Sequence, residues 1–194
     1  MTDADWQVAC FPEMLLYLRR RTSARKLRLF ACACVRLAWA QVNDVPSRRV
    51  VETVERFADG LATRRDLAAV RAAAPGRSSD RVAKAAADCA APGSEAAVFA
   101  VTRLLAPMPV GTPAQADLFR EIVGNPFQRP PALPHVPATV RQLAQSLYDG
   151  ADCAFALHDA LLDVGLEALA AHFAPRGRWH PKGCWALDRI LGKD

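Results

Sequence analysis

The sequence is poor in the residues that build sheets, disulfide scaffolds and catalytic loops. Tyrosine occurs twice, tryptophan four times, and aromatic residues make up 7% of the 194 positions. Alternating runs of β-branched and polar residues are scarce, so half-buried strands have little material to form from. No apolar run reaches the roughly 18–20 residues that cross a bilayer, and the longest candidate is interrupted by Arg36. The opening Met1-Thr2-Asp3-Ala4-Asp5-Trp6 is acidic and polar, the reverse of a signal peptide's basic start. A soluble, cytoplasmic protein with no membrane partner is the expectation. There is also no nucleophile elbow, phosphate-binding glycine loop, paired-histidine zinc helix or dinucleotide fingerprint, and the few serines stand where caps and turns are needed. The composition points away from an enzyme and implies no cofactor.

Six cysteines are present, at 10, 32, 34, 89, 153 and 184. Disulfide frameworks belong to short exported chains. Cys32 and Cys34 lie two apart on a helix and point away from one another, and most of the thiols sit among Ala and Leu. Reduced, buried cysteines acting as small hydrophobes are expected.

Charge is uneven. Residues 1–77 hold 14 Lys/Arg against 8 Asp/Glu, whereas residues 78–194 hold 11 against 12. Such asymmetry can mark an anionic partner. The excess of 21 Arg over 4 Lys and the abundance of Ala also match what a GC-rich genome supplies at solvated positions.

What the chain has is helix. Leu27–Ala40, LRLFACACVRLAWA, is apolar almost all the way round and has no polar face to give to water, so it should form the buried centre of the fold. Ser23 caps it and Asn43, Asp44 and Pro46 end it, which predicts a central helix over 24–42. Pro12 opens an earlier helix that ends in Arg19–Arg21. Later helices are capped by Ser47, Thr63 and Ser94, run through the Ala-rich segment 78–91, and begin again at Thr112-Pro113. The stretch Gly124-Asn125-Pro126-Phe127 with Pro130, Pro131, Pro134 and Pro137 excludes both helix and central strand. It reads as a crossover (124–137) between an N-terminal part (1–123) and a C-terminal part (138–194), with Phe127 and Leu133 ready to pack. Thr139–Tyr148, Asp152–Val164, Leu166–Phe173 and the 183–191 segment supply the last helices. The fold class is all-α: one compact domain of short helices around a buried central helix, compatible with a loosely solenoidal arrangement.

Three segments carry a resemblance: Arg25-Lys26-Leu27-Arg28-Leu29-Phe30-Ala31-Cys32-Ala33-Cys34 with Trp39, then Gly124-Asn125-Pro126-Phe127, then His180-Pro181-Lys182-Gly183-Cys184-Trp185 with Asp188 and Leu191-Gly192-Lys193. Together they resemble an uncharacterised family of proteins that occur as many paralogues in GC-rich bacteria. The resemblance spans the chain and implies no particular activity. Relatives tend to carry Cys where this chain has Val35 and Phe173, so a thiol or metal role at those two positions does not carry over.

Two groups of residues could form sites. His172, His180 and Cys184 fall within thirteen residues, a mixture of imidazole and thiolate that suits Zn²⁺, but a structural zinc wants four ligands and the local sequence offers three. A distant Cys32 or Cys34 is one way to complete the set. The preferred reading makes Cys184 and Trp185 core residues and His172 a helix-end residue, and binds no metal. The second group is basic: Arg19, Arg20, Arg21, Arg25 and Lys26 in one segment, Arg176, Arg178, Trp179 and Lys182 in another. Cations interleaved with an aromatic suit a nucleic-acid backbone or another anion. Arg25 and Lys26 also fall in the first turn of a helix, where the dipole disfavours them. Carboxylates within the chain, such as Asp152, Asp159 and Asp163, are the preferred match for both patches. His158, beside Asp159, shares a helical face with Phe155 and Leu162 and reads as a partly buried core residue that diverges from Asp159. Arg36, if buried, needs a carboxylate or carbonyl partner. The functional expectation is a non-catalytic interaction module that binds another protein. Nucleic-acid or anion binding is the alternative, and a small metal- or thiol-dependent enzyme the third reading.

Overall fold

The computed structural model describes residues 1–18, 21–74, 80–129, 133, 135–174 and 179–193. Among these the chain is entirely helical: α1 (Asp3–Val8), α2 (Phe11–Leu18), α3 (Ala24–Leu37), α4 (Val45–Ala58), α5 (Arg64–Ala73), α6 (Arg81–Cys89), α7 (Ser94–Leu105), α8 (Thr112–Val123), α9 (Ala138–Tyr148), α10 (Ala154–Asp163), α11 (Glu167–Phe173) and α12 (Trp185–Leu191). None of these helices is long and apolar enough to cross a membrane.

Helix α3 is the centre, with α4, α6, α7 and α8 packed around it. Every residue from Leu27 to Val35 is buried, as its all-round apolar sequence requires. Ser23 accepts a hydrogen bond from the Lys26 amide and caps it. The helix ends at Leu37, and Trp39–Gln41 follow as a separate 3-10 turn, so the expected 24–42 helix is two pieces. Its arginines are matched internally. The Arg28 guanidinium donates to the carbonyls of Ala91 (3.1 Å) and Pro92 (2.8 Å). Arg36 makes a two-pronged pair with Glu55 of α4, Nη2 to Oε2 at 2.8 Å, while its guanidinium lies over the Trp39 ring.

Two starts differ from the sequence reading. Asp44, not Ser47, caps α4, because Pro46 falls in the first turn, where a missing N–H costs nothing. Ser94 is the first residue of α7 and Gly93 its cap. The short α1, unmarked by any apolar stripe, is set by the reciprocal Thr2–Asp5 capping box and held by buried Trp6. Arg120 ties that helix down by donating to the carbonyls of Trp6 and Ala9.

Two apolar clusters form. One gathers the buried faces of α1 to α8, with Phe11, Phe30 and Phe119 in mutual ring contact. The other gathers α9 to α12 with Val136. The crossover serves both, since Phe127 stacks on Tyr17 at 5.4 Å and Leu133 packs into the second cluster. Helix α12 touches both α9 and α8.

A polar hub also joins the clusters. Asp188 of α12, fully buried, receives Arg25 Nη1 at 2.6 Å and Lys26 Nζ at 2.7 Å. Arg25 also donates to Asp59, the C-cap of α4, and to the Tyr148 hydroxyl, which in turn donates to Asp59. The carboxylates offsetting Arg25 and Lys26 are therefore Asp59 and Asp188, whereas Asp159 pairs with His158 at 2.9 Å. That pair corrects the expected divergence of the two side chains, and Phe155 and Leu162 beside it are exposed rather than core. Sequence spacing found the need for acids but could not find acids brought from 34 and 163 residues away.

Burial, with the charges of Asp59 and Asp188, pushes the Tyr148 hydroxyl well above its ordinary value of 10.0 against the opposing pull of Arg25. A folded value above the unfolded one contributes stability that is whole below about pH 10 and is lost as pH rises further, because only the unfolded chain releases the proton. Urea-unfolding free energy should therefore fall as pH rises above about 10, and fall less steeply in Tyr148→Phe. Equal slopes would contradict this account.

Candidate metal centre

The turn that ends the chain's last loop is fixed by its sequence. The Cys184 amide donates to the Pro181 carbonyl at 3.0 Å, closing a β-turn with Gly183 at its third position, φ +85°. A positive φ there is what a type II turn demands, and Pro cannot supply it. Gly183 is also pressed on α3: a Cβ at this position would lie 2.9 Å from Leu29 Cδ1. His180 stands immediately before the turn and Cys184 at its end, and Cys184 doubles as the N-cap of α12.

Helix α11 brings His172 to the same point from its last turn, and α8 brings Glu121. Glu121 Oε1 lies 2.9 Å from His172 Nε2 and 2.9 Å from His180 Nδ1, and His172 Nε2 lies 3.2 Å from Cys184 Sγ. All four potential ligand atoms fall within 4.8 Å of one another. In a tetrahedral zinc site with ordinary bond lengths, ligand atoms sit about 3.3–3.8 Å apart, so small rotations of these side chains would surround one ion. Glu121, His180 and Cys184 are buried and His172 nearly so.

Three of the four candidate ligands are those the sequence singles out. The fourth is neither Cys32 nor Cys34, which lie within the α3 core, Cys32 donating weakly to the Val51 carbonyl. It is Glu121, 51 residues before His172. A sign of it existed: Glu121 follows Leu118 by three residues and flanks the Leu118, Phe119 and Ile122 stripe, so it is a carboxylate on a buried face. Phe173 is a wall of the site, its ring 5.0 Å from that of His172 and 4.9 Å from that of His180. Trp185 meets His172 edge-on at 5.1 Å. The remaining nitrogen of His180, Nε2, is buried without a hydrogen-bond partner.

Burial pushes the Cys184 thiol well above its usual range, and the Glu121 charge pushes it the same way. A dication would reverse both effects. With thiolate and carboxylate against two positive charges and two neutral imidazoles, the occupied centre would carry no net charge, the least costly condition for a buried ionic group.

All three segments behind the sequence resemblance meet here. Lys26 of α3 donates from Nζ to the carbonyls of Ile122 (3.0 Å) and Gly183 (2.8 Å), the residues next to Glu121 and Cys184. Gly124, at φ +75°, lets Trp185 approach: a Cβ there would stand 3.2 Å from Trp185 Cγ. Gly183→Ala should cost about 1–3 kcal/mol through left-handed strain and the Leu29 contact, and lower metal content with it. Thermal melts and metal analysis check this, and an unchanged melt would contradict the turn's role.

Of the basic candidates, Arg25 and Lys26 are committed to Asp59 and Asp188. Arg21 is exposed with its guanidinium 5.6 Å from the Tyr17 ring centre. Lys182 lies over the Tyr148 ring and 3.7 Å from Asp149, and Trp179 is 43% exposed. Arg19, Arg20, Arg176 and Arg178 lie outside the described residues. The two segments do adjoin, joined through Lys26 and Gly183, but at the join the cations already face carboxylates and carbonyls of the chain.

Comparison with protein-family models, curated proteins and solved structures found no match.

Proposed function

We propose that this protein is a zinc-centred, non-catalytic binding module. The observation that carries the proposal is the convergence of Glu121, His172, His180 and Cys184, with their ligand atoms within 4.8 Å. A mixed N/S/O set favours zinc over calcium or magnesium, which take oxygen ligands. Four protein ligands around one ion are the pattern of a structural zinc, whereas catalytic zinc usually keeps three. The metal would fasten α11 and α12 to α8, closing the second apolar cluster on the first. Membership of the paralogous family that the sequence resembles belongs to the same proposal, supported by the meeting of its three segments at this centre.

A protein is the partner class this reading favours. Leu16 and Phe99 are 72% and 55% exposed and line, with Pro12, Leu15 and Glu95, a shallow apolar groove of about 210 Å³. Nucleic acid is the less favoured partner, because Arg25 and Lys26 face carboxylates within the chain. A steep salt-dependent anisotropy change with short DNA or RNA would reverse that order.

The test of the metal reading is elemental analysis of the purified protein. One zinc per chain is expected, falling below about a tenth of an equivalent in Cys184→Ala and His180→Ala. Wild-type protein without bound metal, or with copper and the intense colour of a copper thiolate, would contradict it.

A further inference from the structure

The ligands of the metal centre are not equally enclosed. Glu121 and His172 lie on the wall of a cleft of about 560 Å³, whereas His180 and Cys184 do not. The cleft is therefore the side from which a solute could reach a metal held by these four residues. Its volume is within the range of small-molecule sites.

The chemistry of that wall is one-sided. Lys26, Arg120, Arg129 and Arg189 line it, and among the described lining residues Glu121 is the one carboxylate, with Asp3 at the edge accepting from Asn125 at 2.7 Å. Glu121 is already assigned to the metal. Lys26 is offset by Asp188. Arg120 spends Nε and Nη2 on the carbonyls of Trp6 and Ala9, which fix the guanidinium without neutralising it, and its ionic partner Asp117 has a side chain 80% exposed. Arg129 stands exposed at the rim. A low-dielectric cleft with the guanidinium groups of Arg120 and Arg129 on its wall favours anions, and a metal there gives them an acceptor.

We infer that this cleft is a binding site for a small oxyanion, carboxylate or phosphate, whose oxygen adds to the metal from the Glu121–His172 side. The inference rests on the metal reading proposed above. Zinc can expand from four ligands to five, so a fifth, exogenous oxygen requires no protein ligand to leave. Arg129 and Arg120 supply the field that draws the anion in, and the metal supplies the bond that holds it. The centre then both fastens the fold and reports the presence of its ligand.

Cobalt substitution separates the two claims. The full-length protein is stripped of metal and loaded with Co²⁺, whose visible bands report coordination, and is then titrated in separate arms with acetate and with inorganic phosphate. The expected result is a four-coordinate spectrum that loses intensity saturably as a fifth ligand adds, with a dissociation constant on the order of millimolar. The affinity should weaken several-fold in Arg129→Glu and at raised ionic strength. The arm that saturates at lower concentration identifies the preferred oxyanion. A cobalt spectrum that forms but stays unmoved by both anions overturns this inference and leaves the metal reading intact. A shift indifferent to both Arg129→Glu and salt overturns the role of the cleft. Failure of the cobalt spectrum to form overturns both readings together.

Discussion

Stripping the metal from the wild-type protein should lower its thermal midpoint by about 8–16 °C. A ligand that binds only the folded state at a thousand times its dissociation constant adds about 4 kcal/mol, and for a chain of this size each kcal/mol moves the midpoint by about 2–4 °C. The effect should be large here because Glu121 belongs to a helix of the first apolar cluster, whereas Cys184 is part of the second, His172 lies on one of its helices and His180 packs on its Phe173. Without an ion, a buried carboxylate, two imidazoles and a thiol would face one another at this point. Cys184→Ala should reproduce the loss, and its midpoint should no longer respond to added zinc or chelator. The metal-free wild type and metal-free Cys184→Ala should then melt within about 1 kcal/mol of each other. Calorimetry with and without chelator reads all of these. A wild-type melt unmoved by chelation would mean that the four side chains form only a hydrogen-bonded cluster.

Asp188→Ala should destabilise the protein by about 3–5 kcal/mol, the range seen when one partner of a buried ion pair is removed. Asp188 is fully buried and meets two cations, Arg25 at 2.6 Å and Lys26 at 2.7 Å, both themselves largely covered. Burial alone would lower the Arg25 guanidinium, but Asp188, Tyr148 and Asp59 outweigh it and hold Arg25 above its ordinary value. In the variant, Arg25 keeps Asp59, whereas Lys26 keeps only the carbonyls of Ile122 and Gly183. Because those carbonyls adjoin Glu121 and Cys184, zinc affinity should fall along with stability. A double-mutant cycle with Lys26→Met should show a coupling of about 1–3 kcal/mol. Additive effects would show that Lys26 and Asp188 act independently.

Much of the architecture was legible where a local rule decides it. Thr63 caps α5 as its residue type suggests, Ser23 caps α3, and the continuous apolar run from Leu27 buries as it must. The exceptions were also local. Pro46 was read as a breaker, although a proline in the first turn of a helix is compatible with it. Helix α1, only six residues long, shows no stripe and is decided by its cap and one tryptophan.

The site was legible only as far as the chain neighbours itself. His172, His180 and Cys184 stand close in sequence, and the Pro181–Gly183 turn that unites two of them follows from its residue types. Glu121, Asp59 and Asp188 reach their partners across 34 to 163 residues, and helical spacing carries no information about which distant carboxylate will arrive. Lys26 shows the same limit: its place in the first turn of α3 required an offsetting group, but the carbonyls beside Glu121 and Cys184 belong to tertiary structure.

The most direct test of the metal centre is the X-ray absorption spectrum of the bound ion at the zinc edge. The account predicts one sulfur at about 2.3 Å and three nitrogen or oxygen neighbours at about 2.0–2.1 Å, the sulfur vanishing in Cys184→Ala. A shell with two sulfurs or with none, or a protein that holds no zinc, would contradict it.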